Sequence, residues 1–205
     1  MSYSALILAG GMGSRLGYRE KALIDINGRP LIDLVIERLE NVADSIIISV
    51  RDRAQGELME SCLGGGFRFA YDEHRNVGPM AGILSGLLEC ENEFCFVAAC
   101  DMPFINGDVI RLLFRRSKNY DAAIPRWEDG SLEPLHAVYR CAPMIRETRK
   151  AIDRGETIIL APVLRMNVNF VTVDDIRKFD PDLRTFININ TQEDMRELSS
   201  FQDDR

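Results

Sequence analysis

The sequence predicts an α/β protein whose mostly parallel central sheet is covered by helices on both faces. Apolar segments of strand length alternate with amphipathic segments of helix length along the 205 residues, which is the pattern of successive βαβ units. The first apolar segment also runs directly into a glycine-rich loop, as expected at the carboxyl edge of such a sheet. A hydrophobic content of 46% is enough to fill the core of one large domain.

The predicted strands are short apolar or alternating runs separated by polar segments. They cover residues 5–8, 45–50, 68–71, 94–100, 122–125, 135–139, 168–173 and 185–189. The polar stretch 126–133 predicts an exposed hairpin turn between two strands that add to the sheet as an insertion.

The predicted helices are segments with apolar residues on one face. They cover residues 30–39, 80–88, 108–117, 142–154 and 191–199. In the last of these, Thr191 is the expected N-cap, and Asp194 stands where it can return a capping bond. We expect a single domain over residues 1–198 and a frayed tail at residues 199–205.

Charge and composition exclude several classes of protein. The net charge of −7 argues against a nucleic-acid track or an anionic membrane surface as partner, so any anionic ligand should be small. No apolar run approaches the length of a membrane span, and the apolar start is too short for a signal segment. These features predict a cytoplasmic protein.

The five cysteines form no C-x-x-C pair and the two histidines are far apart, which disfavours disulfides and zinc.

The glycine-rich loop is the most informative segment. Gly10, Gly11 and Gly13 allow several backbone N–H groups to point into one concavity that suits a phosphate. Arg15 and Lys21 add two positive charges, which a polyphosphate with a charged leaving group requires. A glycine-rich turn with two surface cations is the alternative interpretation.

Two other phosphate-binding motifs do not fit this loop. A P-loop requires Gly-Lys-Ser/Thr, but Lys21 lies between Glu20 and Ala22. A dinucleotide fingerprint requires a third glycine one position earlier than Gly17.

Polar residues follow three further strands, where an open α/β sheet binds its ligands. Asp101 ends the most hydrophobic strand and is a candidate Mg²⁺ ligand beside a polyphosphate, with a turn or capping aspartate as the alternative. Asp72 precedes the helix start at Gly78 and is a candidate acceptor for nucleobase N–H groups; a solvated acid before a Pro-initiated helix is the alternative. Asn190 has three possible roles, as a helix cap, a substrate contact or a metal contact.

Taken together, these segments resemble the molybdenum cofactor guanylyltransferases over nearly the whole chain. The matching segments are residues 8–17 with 21–23, 72 with 78–82, 99–103, 133–139 and 188–191. The sequence departs from the family pattern at Gln192, where proline is usual, and at Met80, where leucine is frequent. A polar nucleotide contact of the family falls near Arg51 and Asp52, where asparagine is absent.

The resemblance implies a Rossmann-like three-layer αβα nucleotidyltransferase domain that transfers GMP from GTP to the terminal phosphate of molybdopterin and releases pyrophosphate. It implies Mg²⁺ as cofactor, bound by Asp101, and a phosphate contact by Lys21. With the charge of Arg15 in the glycine-rich loop, we expect Arg15, Lys21 and Asp101 to be the catalytic residues. The implied GTP contacts are Leu8, Ala9, Gly10, Gly11, Gly13, Lys21, Asp72, Gly78 and Asp101. The implied acceptor contacts are Asn188 and Asn190.

GTP and molybdopterin are therefore the expected partners, with transient contact to cofactor-delivery proteins or molybdoenzymes and with neither nucleic acid nor membrane. Two alternatives remain at this point. A cytidylyltransferase or a sugar-phosphate nucleotidyltransferase of the same fold would use the same loop, because base choice depends on hydrogen-bond geometry that sequence does not fix. A noncatalytic nucleotide-binding regulator would keep the fold, although the presence of Arg15, Lys21 and Asp101 together argues against it.

Overall fold

A computed structural model describes residues 2–11, 20–74, 76–191 and 193–194. The strands of this part of the chain are β1 (Ser4–Leu8), β2 (Asp25–Ile26), β3 (Arg29–Pro30), β4 (Ser45–Val50), β5 (Arg68–Tyr71), β6 (Phe94–Ala99), β7 (Ala122–Arg126), β8 (His136–Arg140) and β9 (Val168–Thr172). The α-helices are α1 (Leu31–Glu40), α2 (Arg53–Leu63), α3 (Pro79–Leu88), α4 (Gly107–Ser117), α5 (Cys141–Asp153), α6 (Leu160–Val163) and α7 (Val173–Arg177).

The central sheet has the strand order β5-β4-β1-β6-β8-β7-β9. Strands β5, β4, β1 and β6 are parallel, β8 runs antiparallel to both β6 and β7, and β7 pairs with β9 in parallel. The expectation of a mostly parallel sheet is therefore confirmed. Strands β2 and β3 form a separate two-stranded ribbon.

Alternate side chains of each central strand enter opposite halves of the core, as the two-residue period of a strand requires. On β1, Ala5 and Ile7 pack with residues of α1 and α4, whereas Leu6 packs with residues of α3 and α5. The sheet thus lies between two helical layers. Full burial of a leucine or isoleucine side chain contributes about 1.5–3 kcal/mol, so these two clusters supply most of the driving force for the fold.

Close packing of α3 on the sheet requires glycine at two positions. A Cβ atom on Gly86 would lie 2.2 Å from Leu6 Cδ1, and one on Gly82 would lie 2.4 Å from Ser49 Oγ. These two glycines therefore bring the helix directly against the strands that carry Leu6 and Ser49.

Seven of the predicted strands are confirmed to within one residue at each end, so hydrophobic periodicity was sufficient to locate them. The predicted strand at 185–189 is wrong. Residues Arg184–Phe186 form a 3-10 helical turn, because the Thr185 N–H donates to Asp180 Oδ2 at 2.7 Å instead of to a neighbouring strand. The predicted hairpin at 126–133 is confirmed, since β7 and β8 pair as antiparallel strands on either side of it.

Helix α2 was missed because its apolar pattern is weak. The helix contains Gly56 and buries Met59, but its Leu58 side chain is 44% exposed. The helix depends instead on its N-cap, where the Asp52 side chain accepts a hydrogen bond from Gln55 N at 2.9 Å, an arrangement that satisfies a free N–H of the first turn.

In the part of the chain that the structure describes, none of the helices combines the length and apolar character needed to span a membrane. Residues 195–205 lie outside the described residues, so the predicted single domain over 1–198 and the frayed tail at 199–205 stay predictions. The predicted cap of the last helix is described: Thr191 Oγ1 accepts from Asp194 N at 3.1 Å, and Asp194 Oδ2 accepts from Thr191 N at 2.8 Å.

Candidate active site

A cleft of about 820 Å³ opens at the carboxyl edge of β1, β4, β5 and β6. Most of the expected ligand-binding residues line it. The lining residues are Leu8, Gly10, Gly11, Lys21, Ser49, Arg51, Asp52, Asp72, His74, Asn76, Gly78, Pro79, Ala81, Gly82, Ala99, Cys100, Asp101 and Leu135. The parallel strands thus bring together residues that are widely separated in sequence, as the strand-end rule for open sheets predicts.

The glycine loop enters the cleft immediately after β1. A Cβ atom on Gly10 would lie 3.3 Å from Asp72 Oδ2 and 3.4 Å from Arg51 N, so the absence of a side chain leaves room between the loop and the Asp72 carboxylate. The expected residues Gly13 and Arg15 lie outside the described residues. Their predicted roles in phosphate binding and catalysis stay predictions.

Ala9 is not among the residues that line the cleft. Its side chain is fully buried, its N–H donates to Ser49 O at 2.9 Å, and its carbonyl accepts from Gln55 Nε2 at 2.9 Å. Strand alternation explains this position, because the residue after Leu8 points to the opposite face of the sheet.

A charged cluster occupies the end of β6. The Lys21 ammonium donates to Asp101 Oδ2 and, at 2.7 Å, to Asn190 Oδ1. The Lys21 and Asp101 side chains are only 15% and 14% exposed, which strengthens their attraction relative to that of a surface pair. The backbone holds the cluster together as well, since Ile189 N donates to Asp101 O at 2.9 Å.

The second carboxylate oxygen of Asp101 fits a metal. Asp101 Oδ1 is buried and has no hydrogen-bond partner among the described residues, and an ionised oxygen in that position is costly unless a ligand compensates it. The described residues contain no cluster of three or more histidine, cysteine or acidic side chains that could hold a metal. A carboxylate oxygen of this kind is a ligand type that Mg²⁺ uses together with phosphate oxygens and water.

Asp72 lies at the opposite side of the cleft, directly after β5. Its Oδ1 accepts from Ser49 Oγ and Ser85 Oγ, each at 3.1 Å. Burial raises the pKa of Asp72 above its ordinary value, and the hydrogen bonds from Ser85 and Ser49 and the positive charge of Arg51 offset part of that rise.

Sequence reasoning missed a polar cluster that joins the two ends of the glycine loop. Arg51 Nη2 donates to Glu20 Oε1 at 2.7 Å, and this interaction is the main reason that the Arg51 pKa is raised. Gln55 Nε2 donates both to Glu20 Oε2 and to Ala9 O, while Gln55 Oε1 accepts from Arg51 N at 2.7 Å. The N-cap at Asp52 is the signal that could have placed Gln55 on a helix here.

The two asparagines expected at the acceptor differ in position. Asn190 contacts Lys21, as described above, whereas Asn188 Nδ2 donates to Phe186 O at 3.2 Å. Neither asparagine is among the residues that line the cleft.

Comparisons with known proteins agree with this geometry. The family model described as "MobA-like NTP transferase domain" matches residues 5–166. A relative from Methanosarcina mazei, named "Probable molybdenum cofactor guanylyltransferase", is 46% identical over 95% of this chain and 89% of its own length. A relative from Desulfosudis oleivorans, named "Molybdenum cofactor guanylyltransferase", is 32% identical over 96% of this chain and 94% of its own length.

A solved structure is similar over the whole fold. It is the molybdopterin-guanine dinucleotide biosynthesis protein A from Archaeoglobus fulgidus, which matches with a TM-score of 0.85 and 33% identity, covering 98% of this chain and 100% of its own.

Proposed function

The chain belongs to the family of MobA-like NTP transferases, and we propose that it transfers GMP from GTP to the terminal phosphate of molybdopterin with release of pyrophosphate. The names of its relatives support this substrate pair. The observation that carries the proposal is the single cleft that holds a glycine loop, the Lys21 and Asp101 pair, and the partly buried Asp72.

In this proposal an oxygen of the acceptor phosphate attacks the α-phosphorus of GTP in line with the departing group. The new bond joins that oxygen to the α-phosphorus, and the bond from the α-phosphorus to the bridging oxygen of the β-phosphate breaks. Pyrophosphate leaves with the electron pair of the broken bond. A phosphate monoester is already ionised near neutral pH, so positioning and charge neutralisation are the tasks left to the protein.

Lys21, Asp72, Asp101 and the glycine loop share those tasks. Lys21 provides a fixed positive charge for the phosphate oxygens, and the backbone N–H groups of the glycine loop provide further donors. Asp72 accepts hydrogen bonds from the base. Asp101 would hold Mg²⁺ through its free oxygen, and the ion when bound would neutralise phosphate charge that builds up during transfer.

The proposal includes the setting of the reaction. GTP and molybdopterin are the two substrates, and the acidic chain binds neither nucleic acid nor membrane. The enzyme acts in the cytoplasm, in transient contact with cofactor-delivery or molybdoenzyme partners.

The test is pyrophosphate release from GTP, CTP, ATP and UTP by the purified protein with Mg²⁺, in the presence and absence of molybdopterin. We expect pyrophosphate release from GTP but not from CTP, ATP or UTP, and we expect that release to require molybdopterin. A preference for CTP would leave the mechanism standing but would make the protein a cytidylyltransferase. No release with any nucleotide, when a known guanylyltransferase uses the same acceptor preparation, would overturn the proposal.

A further inference from the structure

We propose that Ser49 and Ser85 determine base specificity by holding Asp72 with one carboxylate oxygen turned toward the base. This inference rests on the proposed function, since it assigns the base-reading side chain to Asp72. Both serines are positioning residues in this proposal, because they act on the base through Asp72.

Ser49 provides the first restraint. It lies on β4 with only 1% of its surface exposed, and its hydroxyl lies 3.1 Å from Asp72 Oδ1. A buried hydroxyl requires a hydrogen-bond partner, and the Asp72 carboxylate fills that requirement.

Ser85 provides the second restraint from the other side, on α3. Its hydroxyl also lies 3.1 Å from Asp72 Oδ1, and it lies 3.2 Å from the carbonyl oxygen of Gly82. Since a hydroxyl has one hydrogen, Ser85 divides its donation between these two acceptors. We therefore expect Ser49 to contribute more than Ser85.

The two hydroxyls leave the carboxylate oxygens unequal. Asp72 Oδ1 accepts two hydrogen bonds, from Ser49 and Ser85, which matches the two lone pairs of a carboxylate oxygen. Asp72 Oδ2 instead faces the site where a Cβ on Gly10 would stand, 3.3 Å away, and the side chain lines the cleft. Oδ2 is thus the oxygen left for a ligand.

An oxygen fixed in this way suits a base with adjacent N–H donors. Guanine presents N1–H and the N2 amine side by side, whereas adenine presents a lone pair at N1, which a carboxylate repels. The serines also favour the ionised carboxylate, because their hydrogen bonds lower a pKa that burial raises. An ionised acceptor forms stronger hydrogen bonds than a neutral one.

The packing of α3 preserves the space that this arrangement needs. A Cβ on Gly82 would lie 2.4 Å from Ser49 Oγ, so a larger residue at position 82 would displace the hydroxyl. The glycine therefore keeps Ser49 in reach of Asp72.

Calorimetry measures the Kd for GTP and for inosine triphosphate, which lacks the N2 amine. Steady-state kinetics on the same variants measures kcat and KM. The variants are Ser49→Ala, Ser85→Ala and the double change. We expect each single change to weaken GTP binding about threefold to tenfold, with the larger loss at Ser49. The preference for GTP over inosine triphosphate should fall toward one in the double variant, while kcat changes less than KM.

Two control variants separate specificity from folding. Ser117 is an equally buried serine on α4 whose hydroxyl donates to Phe114 O, so Ser117→Ala should leave both Kd values unchanged. Ser85→Thr keeps a hydroxyl and should restore most of the preference lost in Ser85→Ala. Thermal melting of every variant shows whether it is folded.

Unchanged Kd values in the folded double variant would overturn the inference and leave the proposed function standing. A wild-type protein that binds GTP but transfers nothing would overturn the proposed function, and the Kd values of the serine variants would then decide the inference about base binding. A wild-type protein that binds neither nucleotide would overturn both.

Discussion

Lys21 donates a hydrogen bond of 2.7 Å to the amide oxygen of Asn190, a residue 169 positions further along the chain. The same ammonium pairs with Asp101 at the end of β6. Its charge is therefore fixed from two directions, by the central sheet and by the segment that follows it. A cation held in this way needs little reorganisation when phosphate charge develops beside it.

We expect Asp101→Asn and Lys21→Ala each to lower kcat for GMP transfer by at least about a hundredfold, the usual cost of losing one preorganised charge partner. The fold should remain intact because neither side chain belongs to the hydrophobic core. Steady-state kinetics and circular dichroism measure the two quantities. The matched control is Lys178→Ala, because Lys178 pairs with Asp175 on the surface. We expect this variant to have normal activity. Near-normal turnover in Asp101→Asn would refute its assignment.

Asn190→Ala should lower kcat about tenfold, because a hydrogen bond to a charged group contributes about 1.5–3 kcal/mol. Asn41→Ala, at the C-cap of α1, removes a bond to the carbonyl of Glu37 and should change kcat less than twofold. Parallel kinetics on the two variants make the comparison. Equal losses at both positions would contradict a special role for the Lys21 contact.

Gln55→Met keeps the length of the side chain but removes the bonds that join Ala9 and Glu20 across the ends of the glycine loop. We expect a loss of about 1–3 kcal/mol in the free energy of unfolding, since buried polar partners are left unsatisfied. Urea denaturation measures it. The exposed residue Glu57 lies on the same helix, so Glu57→Met introduces the same side chain without that cost. Equal stability of the two variants would show that the Gln55 hydrogen bonds do not stabilise the fold.

His136 should make the protein less stable in mild acid. Burial lowers the pKa of His136 to about 3, from an ordinary value of 6.5, so the unfolded chain binds a proton that the folded protein does not. The free energy of unfolding should therefore fall as the pH drops from about 6.5 towards 3, by up to a few kcal/mol from this residue alone.

Replacing His136 by Phe should flatten this pH dependence, as measured by urea denaturation at a series of pH values. An identical slope in His136→Phe and the wild type would show that other groups cause the acid sensitivity.

Gly86→Ala should destabilise the fold by up to about 2 kcal/mol, although alanine favours helices, because the new methyl group would lie 2.2 Å from the fully buried Leu6. Overpacking of this kind costs about 1–3 kcal/mol against a gain of about 1 kcal/mol in helix propensity. Thermal and urea denaturation measure the balance. A Cβ on Gly65 meets nothing within 4 Å, so Gly65→Ala should be close to neutral. A stabilised Gly86→Ala would mean that Leu6 repacks freely.

Most residues of the cleft could be predicted from the sequence because their position follows from the ends of parallel strands. Parallel strands place their carboxyl ends at one edge, and strand positions follow from hydrophobic periodicity. Gly10, Asp72 and Asp101 each follow such a strand, so all three come to the same edge of the sheet. Lys21 lies at the same edge, where it pairs with Asp101.

The remaining features depend on contacts that periodicity does not encode. Ala9 was expected in the cleft, but strand alternation buries it. Gln55 was missed because its importance comes from hydrogen bonds to two partners that are distant in sequence, Ala9 and Glu20. Residues 185–189 have the β-branched composition of a strand, but Thr185 forms hydrogen bonds with Asp180 and His136 instead of with a neighbouring strand.

The backbone bond from Ile189 to Asp101 has a consequence for how the protein is made. Synthesis proceeds from the amino end, and domains begin to fold as they emerge. All the described strands of the central sheet, and all the described residues that line the cleft, precede Ile189. A growing chain therefore contains the described lining of the cleft before it contains the second partner of Lys21, so the contact that fixes this cation from its second side forms only when synthesis is nearly complete.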